Sequence, residues 1–307
     1  MSQSCTPLVS VITVNYHQAK LTCDLLDSIR IQNTYPNLEV IVVDNEADKD
    51  QTALFRGRLP EVKVLQSREN LGFAGGNNLG INFANGEYLF FVNNDTLWTV
   101  GLIEKLVERL QTEPLAGGVS PKIRYHHDPR RIQFAGFTPV HPLTGRNKTI
   151  GKNEIDKGQY DAARETPYLH GAAMMIRREI IDTVGKMPES YFLYYEELDW
   201  CAHMRRKGYQ LWYEPQVHIF HRESASTGKV SALKVYYQTR NRLRFMQRNY
   251  SGGAFLVFLC YWWLAVAPFK FAKLLLTAQW DLLAAFMKGS FGQEWLDFPK
   301  QVLSQAA

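Results

Sequence analysis

Residues 90–96 read FFVNNDT, an apolar run that ends in two amides, a carboxylate and a hydroxyl. A buried strand gains nothing from such side chains at its tip, because each polar group taken from water must find a partner. Asp95 is a hard oxygen ligand. Mg2+ or Mn2+ takes one or two protein carboxylates and fills its shell with water and substrate phosphate oxygens. Asn93 and Asn94 can bind a ribose, a sugar hydroxyl or a metal-bound water without adding charge. The plainer alternative is an Asx-turn, with Asp95 or Thr96 capping the next helix. A second acidic group stands in YYEELDW, as Glu196, Glu197 and Asp199. On a helix, 196 and 199 share a face while 197 points elsewhere. One of them can act as a base toward an acceptor hydroxyl, although acids in a first helical turn are also ordinary partners of the helix dipole. His218 and His221, in VHIFHRES, alternate with apolar residues on a strand. His221 can complete a metal site or can be structural.

These groups need elements to position them. Apolar, β-branched runs occur at 8–14, 38–44, 62–66 and 87–93, with helix-compatible segments between them. That alternation predicts a parallel sheet covered on both faces, in a doubly wound α/β layer. Ligands of such sheets bind beyond the carboxyl ends of the strands. Asn15, Asp44, Asn45 and the 93–95 turn therefore fall on one rim. Asp44 suits a base imide or a ribose hydroxyl, or else caps the following helix. A helix near 100–112, a strand near 118–124, a loop-rich insertion over 126–167, a strand entering a helix over 168–179 and a helix over 196–209 follow.

A dinucleotide-binding fold would carry GxGxxG at the first strand–helix turn. That turn is TVNYHQAK, without glycine, which disfavours an NAD enzyme. The glycines come later, in ENLGFAGGNNLG. Gly72, Gly75 and Gly76 allow positive φ and close approach to a ligand, and Asn70, Asn77 and Asn78 add neutral donors and acceptors. A helix starting near Gly76 would point its N-terminus at a phosphate.

The chain has 307 residues and a formal charge of +5, with 46% apolar and 13% aromatic residues, enough for a large core. Cys5, Cys23, Cys201 and Cys260 form no CxxC pair, which argues against a disulfide framework and a zinc site. The charge is uneven: residues 201–250 hold ten Lys/Arg against Glu214 and Glu223. Such a stretch suits phosphate groups or anionic lipid, and nucleic acid is not an expected partner. Residues 254–269 then carry no charge, with Lys270 and Lys273 following. Sixteen residues fall short of the roughly 20 needed to cross a bilayer, so interfacial amphipathic helices are favoured over a spanning helix or a buried helical pair.

The segments VSVITVNY, VIVVDN, NLGFAGGNN, FFVNNDT, HGAAMMIRRE, YFLYYEELDW…RRKGY and YYQTRNR occur in an order that resembles the family 2 glycosyltransferases of GT-A fold, over about residues 8–245. Within them the chain is similar to the bacterial rhamnosyltransferase-like branch that builds cell-surface polysaccharide. The resemblance implies a GT-A catalytic domain over 1–228 and a membrane-associating helical region over 229–307. It implies that Thr13, Asn15, Asp44 and Asn45 hold the nucleoside. Asn70, Gly72, Gly75 and Asn77 would line the nucleotide loop, and Asn93, Asn94 and Asp95 would stand at the DxD metal motif, with Asn93 in place of its first aspartate. Mg2+ or Mn2+ would sit on Asp95 and His221, and Arg240 would face the donor's diphosphate or a lipid-linked one. Glu197 matches the family's catalytic base and Asp199 the later acid, and the choice between them stays open. The implied reaction is an inverting transfer of a hexosyl group, dTDP-rhamnose being the first donor considered and a UDP-hexose the alternative. The implied acceptor is a glycan on a lipid diphosphate at the cytoplasmic face of a bacterial inner membrane. The rival readings are a nucleotidyltransferase and a non-catalytic membrane scaffold of the same fold. Oligomeric state is not legible.

Overall fold

The computed structural model of the chain describes residues 6–45, 49–222 and 231–292. It divides into two compact units, residues 1–139 with 148–226 and residues 140–147 with 227–307. The boundary expected at 228/229 falls within 223–230, outside the described residues.

The first unit begins β1 (Val9–Asn15), α1 (Ala19–Gln32), β2 (Leu38–Asp44), α2 (Thr52–Arg56), β3 (Lys63–Gln66), α3 (Gly72–Phe83) and β4 (Tyr88–Val92). The four strands run parallel in the order β3-β2-β1-β4. Val11, Ile12, Ile41, Val42, Phe90 and Phe91 are all fully buried, as a sheet covered on both faces requires. The β1–β2 register sets Asn15 opposite Asp44, so the two polar tips end level.

Helix α3 starts one turn earlier than the glycine pattern suggested, at Gly72 rather than near Gly76. Asn70 Oδ1 accepts the Gly72 N–H at 2.9 Å, and Gly72 takes φ +70°. That left-handed conformation is open to glycine at no steric cost. A Cβ there would also overlap the Phe192 carbonyl oxygen, which accepts the Phe73 N–H at 2.8 Å. Further along, a Cβ on Gly76 would lie 2.9 Å from Val14, which is why α3 can rest directly on β1.

The unit continues with β5 (Thr96–Leu97), α4 (Leu102–Thr112), β6 (Ala116–Tyr125), β7 (Ile132–Phe134), β8 (Arg164–Glu165), β9 (Ala173–Arg177), α5 (Glu179–Val184), α6 (Glu196–Arg206) and β10 (Gln210–His221). The sheet extends as β4-β9-β6-β10-β5. β9 is antiparallel to both neighbours and β5 is antiparallel to β10, so this half is mixed. The stretch 126–167, expected as loop, supplies β7 beside β6 and β8 beside β10.

The second unit contains α7 (Ala232–Asn249), α8 (Gly252–Tyr261), α9 (Ala267–Leu276) and α10 (Trp280–Phe291). Residues 140–147 belong to it: Arg242 donates to the Thr144 carbonyl, and the Tyr250 hydroxyl donates to the Val140 carbonyl at 2.7 Å. α8 runs through a π-helical turn, Trp262–Val266, into α9. The result is one helix of 25 residues, Gly252–Leu276, long and apolar enough by length and composition to cross a membrane. The uncharged run alone was too short for that. The helix outlasts it because Lys270 and Lys273 occur near the C-terminal end, where positive charge favours a helix.

Candidate active site

The tips of β1 and β2 are joined by hydrogen bonds. Asn15 Nδ2 donates to Asp44 Oδ1 at 2.8 Å, and the Thr22 hydroxyl donates to Asn15 Oδ1 at 2.9 Å. Asn94 Nδ2, beyond β4, reaches the same hydroxyl at 3.0 Å. Three strand tips and α1 are thereby locked together, with Thr22, unnoticed in the sequence, at the junction. Thr13 is fully buried two residue pairs below, and its hydroxyl has no partner. In the glycine loop, Asn45 Nδ2 donates to the Gly72 carbonyl at 3.1 Å and Asn77 Nδ2 to the Phe73 carbonyl at 2.9 Å. Asn78 binds the Met187 backbone and Glu189. The amides of Asn45, Asn70, Asn77 and Asn78 thus shape the loop, and Gly75 packs against Leu71.

Asp95 does not cap a helix, the simpler role open to it. The chain turns there into β5, whose Thr96 lies opposite His221 at the end of β10. This pairing sets His221 Nε2 3.1 Å from Asp95 Oδ1, while Gln133 Oε1 on β7 stands 2.9 Å from His221 Nδ1. All three residues are buried. A carbonyl oxygen only accepts, so Nδ1 donates to Gln133 and leaves Nε2 facing the Asp95 carboxylate. With Nε2 unprotonated, the nitrogen and the carboxylate oxygen are both donors that a cation can share. Ligand bonds of about 2.1 Å at right angles separate neighbouring donors by about 3 Å, so the pair fits a Mg2+ or Mn2+ shell completed by substrate oxygens. Among the described residues no group of three or more His, Cys, Asp and Glu gathers as a fuller metal site. His218 plays no part in this arrangement: burial first, then Arg124 and Lys122, push its pKa down to about 4, and its ring packs on Phe220.

Helix α6 follows a strained segment. Phe192, Tyr194 and Tyr195 all have positive φ, at 65°, 68° and 76°. Such conformations cost of order 1–3 kcal/mol each and persist only where the surroundings impose them. The Phe73 N–H on the Phe192 carbonyl is one such constraint, and it ties the glycine loop to the start of α6. Glu196 and Asp199 face inward and are buried, whereas Glu197 remains partly accessible. Burial raises the Glu197 carboxyl to about 6, and its Oε2 has no hydrogen-bond partner. Burial, followed by the charge of Glu197, holds Glu196 well above the usual carboxylate range.

The acidic helix, the glycine loop and the Asn93–Asp95 turn meet at Gly171–Ala172. The Asn93 N–H donates to the Ala172 carbonyl at 3.0 Å. A Cβ on Gly171 would lie 3.7 Å from Glu197 Cγ and 3.8 Å from the Phe73 ring. One dipeptide thus separates the Glu197 side chain from the Asn93–Asp95 turn. The HGA step before an apolar strand was a usable sequence signal for Gly171. Gln133 had none, because it lies in a patternless stretch. Arg240 is on α7 of the second unit, buried, with Nε donating to Asn241 Oδ1 at 2.9 Å and its guanidinium over the Tyr237 ring at 4.8 Å.

A sheet whose parallel half presents polar strand tips, and whose mixed half supplies a carboxylate–imidazole pair and an acidic helix, is the GT-A glycosyltransferase fold. Residues 10–185 match the family model for glycosyl transferase family 2, and the chain belongs to that family. The match ends before α6 and β10, which carry Glu197 and His221. An uncharacterised protein of Sinorhizobium fredii is 27% identical over 80% of this chain, and the chain spans only 28% of its length. The N-acetylglucosaminyl-diphospho-decaprenol L-rhamnosyltransferase of Mycobacterium tuberculosis is 23% identical over 85% of this chain and 88% of its own. Among solved structures, the mannosyltransferase PcManGT of Pyrobaculum calidifontis, in complex with GDP-Man and Mn2+, has a TM-score of 0.58 at 18% identity, covering 96% of this chain and 89% of that one. GalNAc-T7 with UDP, GalNAc and Mn2+ has a TM-score of 0.63 at 14% identity, covering 80% of this chain and 48% of that one.

Proposed function

We propose that this glycosyltransferase is inverting and metal-assisted, and moves a hexosyl group from a nucleotide sugar to a glycan acceptor on a lipid diphosphate. Rhamnosyl is the first donor group to test, in keeping with the name of the mycobacterial relative. The observation that carries the reading is the Gly171–Ala172 junction, which sets a carboxylate of raised pKa beside the Asn93–Asp95 turn.

Glu197 is the base. Its carboxylate takes the proton of the acceptor hydroxyl as that oxygen attacks the anomeric carbon and the nucleoside diphosphate departs from the opposite face. A group near neutral pKa is well matched to that task, which contributes about 10²–10⁴-fold. Asp95 and His221 would hold Mg2+ or Mn2+, which when bound supplies Lewis-acid stabilisation of the charge on the leaving diphosphate. Thr13, Asn15 and Asp44 hold the nucleoside, and the helix N-terminus at Gly72 favours its phosphates.

We also propose a location on the cytoplasmic face of a bacterial inner membrane, which the exposed apolar surface of the second unit supports. Leu264, Phe269 and Leu276 are 81%, 73% and 85% exposed, more apolar surface than one water-facing helix side ordinarily carries. Lys270, Lys273 and Trp263 suit the headgroup zone. The test is to incubate the full-length chain and Mn2+ with a panel of nucleotide sugars and a lipid-diphosphate acceptor, and to read anomeric configuration by NMR. Transfer of the nucleotidyl group would replace this reading with a nucleotidyltransferase. Full biological function in both Asp95→Ala and Glu197→Gln would leave a scaffold.

A further inference from the structure

His170 precedes Gly171 at the junction just described. Its Nδ1 accepts the Ala172 N–H at 3.1 Å, and its backbone N–H donates to the Ser120 hydroxyl at 3.0 Å. The ring stacks on Phe137, with centroids 5.7 Å apart and planes 6° from parallel, and lies edge-on to Phe134 and to His221, the latter centroid 6.3 Å away. Because Nδ1 is used as an acceptor, the proton resides on Nε2. A ring whose Nδ1 accepts a backbone N–H carries one proton only and is neutral. It is an uncharged N–H donor, edge-on to His221 and one residue before the glycine that faces the Glu197 side chain. In a base-assisted displacement the transferred sugar must lie between those two groups.

We propose that His170 forms a subsite for the transferred sugar, its Nε2–H donating to a hydroxyl of the hexosyl group. The inference rests on the hexosyltransferase reading above. A neutral donor suits a hydroxyl oxygen, and the aromatic wall of Phe134 and Phe137 holds the ring in place while offering no competing partner.

Two substitutions separate this role from simple support of the loop. His170→Asn keeps an acceptor near the Ala172 N–H but loses the distal donor. His170→Gln keeps a donor at the distal position but loses that acceptor. Binding to the full-length protein with Mn2+ is measured by calorimetry for dTDP-rhamnose, UDP-glucose, UDP-N-acetylglucosamine and GDP-mannose, and for the matching nucleoside diphosphates. For the sugar nucleotide that the wild type binds, His170→Asn should lose about tenfold in affinity, the worth of one hydrogen bond, with the nucleoside diphosphate unaffected. His170→Gln should stay close to wild type. The reverse order of the two variants, or an equal loss for the nucleoside diphosphate, would make His170 a loop support and overturn the subsite alone. A wild type that binds none of the four sugar nucleotides would overturn the transferase reading and the subsite with it.

Discussion

Replacing Glu197 by glutamine preserves the side chain's length and its packing against Gly171 but removes its basicity. Loss of the base should lower kcat by about 10²–10⁴-fold, with sugar-nucleotide affinity unchanged because the carboxylate faces the acceptor. The wild type supplies its own control in the pH profile. With the Glu197 pKa at about 6, the base is protonated below that value, and at one pH unit beneath it about a tenth remains ionised. The rate should therefore fall with unit slope below pH 6, and the limb should vanish in the variant. Stability runs the other way. The folded protein binds this proton more tightly than the unfolded chain does, so stability is highest below the unfolded carboxyl's pKa and declines as pH rises through about 6. Steady-state kinetics across pH 4.5–8, with calorimetric binding of the donor, make the measurement. An acid limb centred near the ordinary glutamate value of about 4.3, or a Glu197→Gln variant as fast as wild type beside an inactive Asp199→Asn, would transfer the base to Asp199.

Gly72→Ala puts a side chain at φ +70° and against the Phe192 carbonyl. It should cost at least about 1–2 kcal/mol and raise the KM for donor, checked by thermal unfolding and kinetics; an unaltered KM would uncouple the loop from α6. Gln133→Leu removes the acceptor that fixes His221, and Mn2+ affinity by electron paramagnetic resonance should drop about 10–100-fold. Gln133→Glu should retain that affinity, and tight Mn2+ binding by the leucine variant would deny Gln133 a positioning role. Deleting residues from 252 onward should abolish flotation with anionic vesicles while donor binding survives, and a full-length chain divided evenly between membrane and cytosol would contradict the interfacial placement.

The alternation of short apolar strands with helices was readable without coordinates, because burial on both faces leaves an unbroken β-branched run and the helices carry their own period. So were the polar strand tips, since Asn15, Asp44 and Asp95 each follow such a run. Local signals stopped there. The reversal of β9, the insertion of β7 beside β6 and the seating of His221 opposite Thr96 are pairings between residues far apart in sequence, and a strand's own pattern does not name its neighbour. Gln133 and Gly171 gained meaning only from what the sheet set beside them. That Glu197 stays partly accessible while Glu196 and Asp199 are buried likewise depended on which face of α6 the core covered. The sequence by itself determined the chemistry available at the rim; packing between distant segments decided which of those groups stand side by side.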